Sequence, residues 1–175
     1  TQMVVKGHHF PKVTLVGVIA ADSSLNIDDY RANERTFQIL TQVAGRAGRE
    51  NLEGNVIIQS YNPQNFSIQC ARKQDYQTFY QTEIELRKEL KYPPFYDIIV
   101  ISFQGEKIEE IITLSNLVYN TINSKVKKEQ KQQIVQVFKP MPAPIDKIQN
   151  NFRWRMILKT NKLNEIQEIL NLSLN

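Results

Sequence analysis

The chain has 175 residues, of which 41% are apolar and 23% charged, a composition typical of a folded globular protein. Its formal net charge is +4, which permits a nucleic-acid partner without requiring one. The single cysteine, Cys70, excludes an internal disulfide and a multi-cysteine zinc site. A lone cysteine fits a reduced, cytoplasmic compartment best. No apolar run approaches the roughly 20 residues that a membrane-spanning helix needs.

The first part of the chain predicts alternating strands and helices. Residues 13–21 (VTLVGVIAA) are apolar and rich in β-branched side chains, which favours a strand buried on both faces of a parallel sheet. A helix is expected at about 31–49 and a second strand at 54–61. Residues 66–90 are expected to form one further helix, which Pro93 and Pro94 must end. This order indicates an α/β layer followed by a domain boundary.

The second part of the chain predicts an α+β domain. The expected strands are 96–104, 134–138 and 152–160, and the expected helices are 107–128 and 163–174. Residues 139–144 (KPMPAP) are expected to form a stiff, extended connection because prolines exclude a helix there. The order βαββα is most of a ferredoxin-like sandwich, which one more strand would complete.

Residues 42–49 (QVAGRAGR) hold the most informative pattern. On a helix with about 100° per residue, Gln42, Arg46 and Arg49 fall within roughly 60° of one another. Paired guanidiniums suit a polyphosphate, since their planar fork matches phosphate oxygens. Gly45 costs about 1 kcal/mol in a helix relative to alanine, which suggests a close approach to the backbone. On spacing alone, a surface helix with two solvated arginines stays an open alternative.

Short segments along the whole chain match one known pattern. They are Thr1–Met3, Lys6–Pro11, Val13–Val16, Asp22, Asp29–Arg31, Glu34–Arg35, Gln42–Arg49, Tyr92–Phe95, Pro142–Pro144 and Arg153–Trp154. With these segments the sequence resembles superfamily-two helicases and, within them, the primosomal replication-restart helicases. The QxxGRxxR pattern indicates only the superfamily, whereas KGHHFP together with YPPF is specific to the narrower family.

The resemblance implies a role for individual residues of two helicase motifs. Arg46 and Arg49 would contact the γ-phosphate of ATP, with Arg49 as the arginine finger and Gln42 positioning both. The implied nucleotide contacts are Gly7, His9, Gly45, Arg46 and Arg49. The implied DNA contacts are Thr1, Gln2, Lys6 and His8. Most superfamily members carry Asp at the place of His9. No metal site is expected here, because the adjacent side chains of His8 and His9 point in different directions on an extended loop.

The resemblance also implies an architecture and an activity. Residues 1–62 would be the later part of a RecA-like helicase lobe, 63–92 a linking helix, and 93–175 a ferredoxin-like C-terminal domain. The parent protein would be an ATP-dependent 3′→5′ DNA helicase that binds abandoned replication forks and restarts replication by primosome assembly. ATP with Mg²⁺ and zinc are implied cofactors of that parent. The chain lacks a GxxxxGK[ST] loop and the Walker B motif, so the fragment alone should be inactive.

The strand at 152–160 offers a candidate partner contact. Arg153 and Arg155 alternate with Phe152 and Trp154, so the arginines should share one face. They would bind DNA phosphates or the acidic tail of a single-strand-binding protein, and two solvated arginines are the open alternative.

The partners implied by the resemblance are forked and single-stranded DNA, the tail of a single-strand-binding protein and other primosome proteins. The implied location is the bacterial cytoplasm, at the nucleoid. Two other classes of function stay open. One is a non-catalytic scaffold that chiefly binds proteins, and the other is a ribosomal-protein-like module that binds RNA. Neither explains the residues that resemble the first helicase motif.

Overall fold

The computed structural model describes residues 13–45 and 54–174. These residues form a mixed α/β protein with one parallel and one antiparallel sheet. The chain divides into two compact units, the first ending at Leu86 and the second beginning at Arg87. The boundaries expected from the sequence, after residues 62 and 92, stay predictions.

The first unit is built around two parallel strands. β1 (Leu15–Val18) and β2 (Asn55–Ile58) pair in parallel register from Leu15 with Asn55 to Val18 with Ile58. The helix α1 (Ala32–Ala44) lies between the two strands in the chain, and the helices α2 (Phe66–Lys73) and α3 (Tyr76–Glu89) follow β2. The predicted strand–helix–strand order and the parallel pairing are confirmed, although both strands are shorter than the apolar runs that contain them.

The expectation that the first strand is buried on both faces is wrong for the described residues. Val18 and Ile58 pack against a cluster that includes Leu40 of α1 and Ile68 of α2. On the other face Leu15 is 58% exposed. An apolar strand predicts burial, but how many layers cover it depends on the rest of the fold.

The segment expected to be one helix at 66–90 is two helices. α2 ends at Lys73. The next residue, Gln74, has a φ of 55° in the left-handed region, and the N–H of Asp75 donates to the carbonyl of Cys70. The Asp75 carboxylate then accepts hydrogen bonds from the N–H and hydroxyl of Thr78, at 3.0 and 2.7 Å. The Asp75 side chain thereby gives a partner to one of the first backbone N–H groups of α3, and the helix therefore restarts there.

The second unit is a sheet with two helices on one of its faces. Its elements are β3 (Asp97–Gly105), α4 (Ile108–Lys128), β4 (Val135–Val137), β5 (Met141–Ile148), β6 (Asn151–Thr160) and α5 (Leu163–Leu174). β6 is the central strand and pairs antiparallel with β3 along one edge. Along its other edge β6 pairs antiparallel with both β4 and β5. β3 and β4 are therefore parallel to each other across β6.

One hydrophobic core holds the second unit together. Ile122 of α4 and Ile166 of α5 are 0% exposed and pack against Met156 and Leu158 of β6, which are also 0% exposed. Three of the expected strands and both expected helices are confirmed within two residues at each end.

The expectation of a connection at residues 139–144 is wrong, because this segment begins strand β5. Met141 pairs with Arg155 and Pro142 with Trp154, and the register shifts between Pro142 and Lys147. The predicted extended backbone is correct. Proline has no N–H to donate, so it is tolerated in a strand only at an edge or a bulge, and β5 has both.

Candidate functional site

Most of the predicted nucleotide and DNA contacts lie outside the described residues. They are Thr1, Gln2, Lys6, Gly7, His8, His9, Arg46 and Arg49. Four predicted site residues are described: Gln42 and Gly45 in the first unit, and Arg153 and Arg155 in the second.

Gln42 lies in the last turn of α1 and is exposed. The helix ends at Ala44, and the N–H of Gly45 donates to the carbonyl of Thr41 at 3.1 Å. The expected helix through residue 49 is therefore wrong at Gly45, where glycine ends the helix as it often does. Arg46 and Arg49 lie outside the described residues, so their grouping with Gln42 stays a prediction.

The back of α1 is fixed by aromatic and aliphatic packing. Phe37 is 5% exposed and stacks on Phe79 of α3, with ring centroids 4.2 Å apart. Leu40 and Val43 are 2% and 5% exposed. The predicted apolar side of this helix is confirmed, and it holds Gln42 on the opposite, exposed side.

The chain enters β1 and β2 at the same edge of the sheet. The N–H of Asn55 donates to the carbonyl of Thr14 at 2.8 Å, just before the paired strands begin. Val13 and Gly54 are the described residues directly after segments 1–12 and 46–53. The described residues that follow the two predicted helicase motifs therefore lie next to each other at this edge of the sheet.

Asp22 joins the opposite ends of the same two strands. Its carboxylate accepts hydrogen bonds from Ser60 Oγ and the N–H of Tyr61, both at 2.8 Å, and from the N–H of Asn62 at 3.1 Å. The hydrogen bond from Tyr61 is the main reason that the pKa of Asp22 lies below its usual value. In the sequence analysis Asp22 was named only as part of the family resemblance. The signal that could have identified it is its position, an acidic residue directly after an apolar run.

Asp29 organises the start of α1. Its carboxylate accepts from Arg31 Nε at 3.1 Å and Arg31 Nη2 at 3.2 Å, and Arg35 Nη1 lies 3.0 Å from its second oxygen. The hydrogen bond from Arg31 is the main reason that the pKa of Asp29 is lowered. One carboxylate thus holds two arginines at the end of α1 that is remote from Gln42.

Arg153 and Arg155 lie on the face of β6 opposite the core. Phe152 and Trp154 pack against the core cluster, whereas Arg155 is paired across the strands with Ser102 and Arg153 with Gln104. The predicted alternation of aromatic and basic faces is confirmed. What the two arginines bind stays a prediction.

Lys159 shares the face of Arg153 and Arg155 and was missed by the sequence reasoning. Its Nζ donates to the carbonyl of Leu90 at 2.8 Å and lies 3.6 Å from the ring centroid of Tyr92. The same Nζ lies 5.6 Å from the ring of Phe138. Burial and the nearby charge of Lys91 lower the pKa of Lys159. Lys159 lies four residues after Arg155 on the same strand, so the alternation of side chains between the two faces was the signal that could have identified it.

The described residues offer no cluster of three or more His, Cys, Asp or Glu side chains that could hold a metal ion. Cys70 is buried in the first unit, and burial raises the pKa of its thiol. Among the described helices, none combines the length and apolar character needed to cross a membrane.

Comparison with known proteins identifies the family. Residues 88–174 match the family model described as the primosomal protein N C-terminal domain. The chain is 38% identical over 170 residues to the replication restart protein PriA of Bacillus subtilis, covering 97% of this chain and 20% of that protein. It is 39% identical over 159 residues to the protein of the same name from Synechocystis, covering 91% of this chain and 18% of the relative.

A third relative, the replication restart protein PriA of Rickettsia felis, is 36% identical over 170 residues, which are 97% of this chain and 25% of the relative. The chain therefore spans a quarter or less of the length of these three relatives. The similarity nonetheless runs through both units and includes the segments that carry the predicted helicase motifs. We conclude that the chain belongs to the PriA family of replication restart proteins and carries the family's C-terminal domain at residues 88–174.

Proposed function

We propose that the chain is the C-terminal portion of an ATP-dependent 3′→5′ DNA helicase that binds abandoned replication forks and restarts replication by primosome assembly. The name shared by its relatives, replication restart protein, supports the restart role. The observation that carries the helicase proposal is the hydrogen bond from Asn55 to Thr14, since it places side by side the described residues that follow the two motif-bearing segments. A motor needs its DNA-coupling and nucleotide-binding motifs close together.

The secondary-structure arrangement of each unit supports the domains that we propose. In the first unit the parallel β1–α1–β2 arrangement fits the later part of a RecA-like lobe, proposed for residues 1–62. Residues 63–92 are the proposed linking segment. In the second unit β3 and β4 flank an antiparallel central strand, which fits a ferredoxin-like domain at 93–175.

The proposed nucleotide site combines residues of both motifs. Gln42 positions Arg46 and Arg49, which contact the γ-phosphate of ATP, and Arg49 stabilises the charge that develops during phosphoryl transfer. The further nucleotide contacts in this proposal are Gly7, His9 and Gly45. Thr1, Gln2, Lys6 and His8 are the proposed contacts to the DNA strand.

ATP with Mg²⁺ would need a phosphate-binding loop and an acidic motif from another part of the longer protein, because neither occurs in this sequence. The single cysteine likewise cannot supply the zinc site proposed for the parent protein. The proposed partners are forked and single-stranded DNA, the acidic tail of a single-strand-binding protein and other primosome proteins, in the bacterial cytoplasm.

The substitution Arg49→Ala in the longer protein tests this proposal. An arginine finger accelerates phosphoryl transfer by about 10³- to 10⁵-fold, so DNA-stimulated ATP hydrolysis should fall by at least that lower factor while fork binding is retained. The control is Arg35→Ala in α1, because Arg35 is held by Asp29 near the start of that helix. Hydrolysis at a near-normal rate by the Arg49 variant would show that Arg49 is not the arginine finger.

A further inference from the structure

The segment between α3 and β3, residues 90–96 and here called the proline strap, leads from the end of a helix into the first strand of the second unit. It contains Tyr92–Phe95, the YPPF segment of the family resemblance. Its two prolines have no backbone N–H, and the N–H groups of Phe95 and Tyr96 donate to the carbonyl of Tyr92 at 3.1 and 3.3 Å. These local hydrogen bonds shape the strap into a turn but do not join it to the sheet.

The carbonyl of Leu90 lies at the end of α3, where the chain offers it no helical donor. Lys91 has a φ of 54°, a left-handed conformation that is typical of the residue after a helix. A donor at α-helical spacing would be Pro94 and one at the tighter 3₁₀ spacing would be Pro93, and neither has an N–H. The Leu90 carbonyl therefore needs a partner from another part of the fold or from water.

Lys159 of β6 supplies that partner. Its Nζ donates to the carbonyl of Leu90 at 2.8 Å and lies 3.6 Å from the centroid of the Tyr92 ring. Both contacts depend on the positive charge, because an ammonium group makes a stronger hydrogen bond than a neutral donor and is attracted to the face of an aromatic ring. One side chain thus holds both the backbone and a ring of the strap.

The strand that carries Lys159 is paired on both edges. At this position Lys159 is paired with Ile98 of β3 on one side and with Gln136 of β4 on the other. Beside it the N–H of Phe138 donates to the carbonyl of Ile157 at 2.9 Å, and the ring of Phe138 lies 5.6 Å from Nζ. All these residues and the strap belong to the second unit. Lys159 therefore joins the strap to a well-fixed position of the sheet.

From these contacts we infer that Lys159 is a charge-dependent anchor that holds the proline strap on the central strand. With the ammonium group in place, the Leu90 carbonyl has its donor and the Tyr92 ring has its cation. Without it both contacts are lost, and the strap changes from a docked turn to a flexible connection between α3 and β3. The charge of one side chain thus decides whether this connection is stiff. This conformational role does not depend on the proposed function.

Hydrogen exchange of single amides, followed by NMR on the whole 175-residue chain, tests this inference. Lys159→Met keeps the length of the side chain and removes its charge. Protection of the Tyr92, Phe95 and Tyr96 amides should fall about ten-fold or more, because the variant loses a charge-assisted hydrogen bond and a cation–π contact. Lys159→Arg keeps a positive charge that can donate to the carbonyl and stack on the ring, so protection should stay within about three-fold of wild type.

The matched control makes the same change at another lysine beside an aromatic ring. Nζ of Lys147 in β5 lies 4.5 Å from the centroid of the Phe152 ring. Lys147→Met should leave the protection of the strap within about two-fold of wild type. The amide of Ile122, a core residue that is 0% exposed, should exchange at the same rate in wild type and in all variants, since only the strap is released.

A measurement on the wild-type chain needs no substitution of Lys159. The protons on its Cε should be shifted upfield by the ring current of Tyr92, and Tyr92→Leu should abolish this shift. Absence of the shift in the wild-type chain would overturn the inference even if Lys159→Met does not fold.

Three outcomes of the exchange experiment contradict the anchor. Unchanged protection in Lys159→Met would show that the strap is held without the ammonium group. Equal losses in Lys159→Met and Lys159→Arg would show that packing rather than charge holds it. A loss of protection that extends equally to Ile122 would show that Lys159 stabilises the whole unit rather than the strap.

Discussion

The carboxylate of Asp22 and the backbone N–H of Tyr61 form a hydrogen bond of 2.8 Å that joins the ends of two neighbouring parallel strands. Ser60 and Asn62 donate to the same carboxylate. Asp22 therefore fixes the direction in which the chain leaves β2 toward α2. The connections at this end of the two strands are not part of the strand ladder, so their N–H groups need other partners, and the Asp22 carboxylate is one of them.

The substitution Asp22→Asn should loosen this connection in a pH-dependent way. The folded-state pKa of Asp22 lies below its unfolded value of 3.8, so its stabilising effect is present above that value and is lost as the pH falls through the folded pKa. Hydrogen exchange at the Tyr61 and Asn62 amides should be faster in the variant at pH 6, and this difference should shrink toward pH 3. The control is Asp146→Asn in the exposed β5. Equal exchange in wild type and variant at pH 6 would contradict the prediction.

Gln74→Gly should stabilise the protein. Gln74 has a φ of 55° at the end of α2, a conformation that costs a residue with a Cβ roughly 1 to 2 kcal/mol and costs glycine little. After the entropic cost of glycine, we expect a gain of about 0.5 to 1 kcal/mol in the free energy of unfolding. Urea denaturation measures it. Gln81→Gly, at an exposed position inside α3, is the control and should lose about 1 kcal/mol. A loss of stability in the Gln74 variant would reject the argument.

Ile122→Ala should destabilise the second unit by about 2 to 5 kcal/mol, because it leaves a cavity beside a fully buried core residue. Ile122 is 0% exposed on α4. Fluorescence of Trp154, the single tryptophan, reports unfolding of this unit. Leu117→Ala on the same helix is the control, since Leu117 is 61% exposed and should change stability by about 0.5 kcal/mol or less. Similar losses in both variants would mean that the core is not where the structure has it.

The 175-residue chain alone should not hydrolyse ATP, with or without DNA, because its sequence has no GxxxxGK[ST] loop. Release of phosphate from ATP by the purified chain is the measurement. The Arg49→Ala variant of the chain serves as the control for a contaminating ATPase, which would hydrolyse ATP equally in both samples. Hydrolysis that depends on Arg49 in the chain alone would contradict the prediction.

The order of most strands and helices was predictable from the sequence, because secondary structure depends on patterns among neighbouring residues. Alternation of apolar residues predicted β6 and its two faces, and the helical spacing of apolar residues predicted α4. The single break between α2 and α3 was missed, since Gln74 is an ordinary helix residue by propensity and only its left-handed backbone ends the helix. The strand at Pro142 was missed because prolines argue against a ladder, except at an edge.

The candidate site was only partly predictable for the same reason. The sequence alone indicated that Arg153 and Arg155 share a face, since alternation along a strand is a local property. It gave no sign that Lys159 would hold Tyr92 and Phe138, or that Asp22 would bind the N–H of Tyr61, because the partners lie 21 to 67 residues away in the chain.

The sequence by itself determined the types and order of most strands and helices, and its motifs indicated the family. Only the tertiary structure decided which strands are neighbours and that β6 rather than β3 is central. Periodicity fixes which side of an element is apolar, because that depends on backbone geometry alone. Which element packs against that side depends on contacts between distant residues, and no local pattern encodes them.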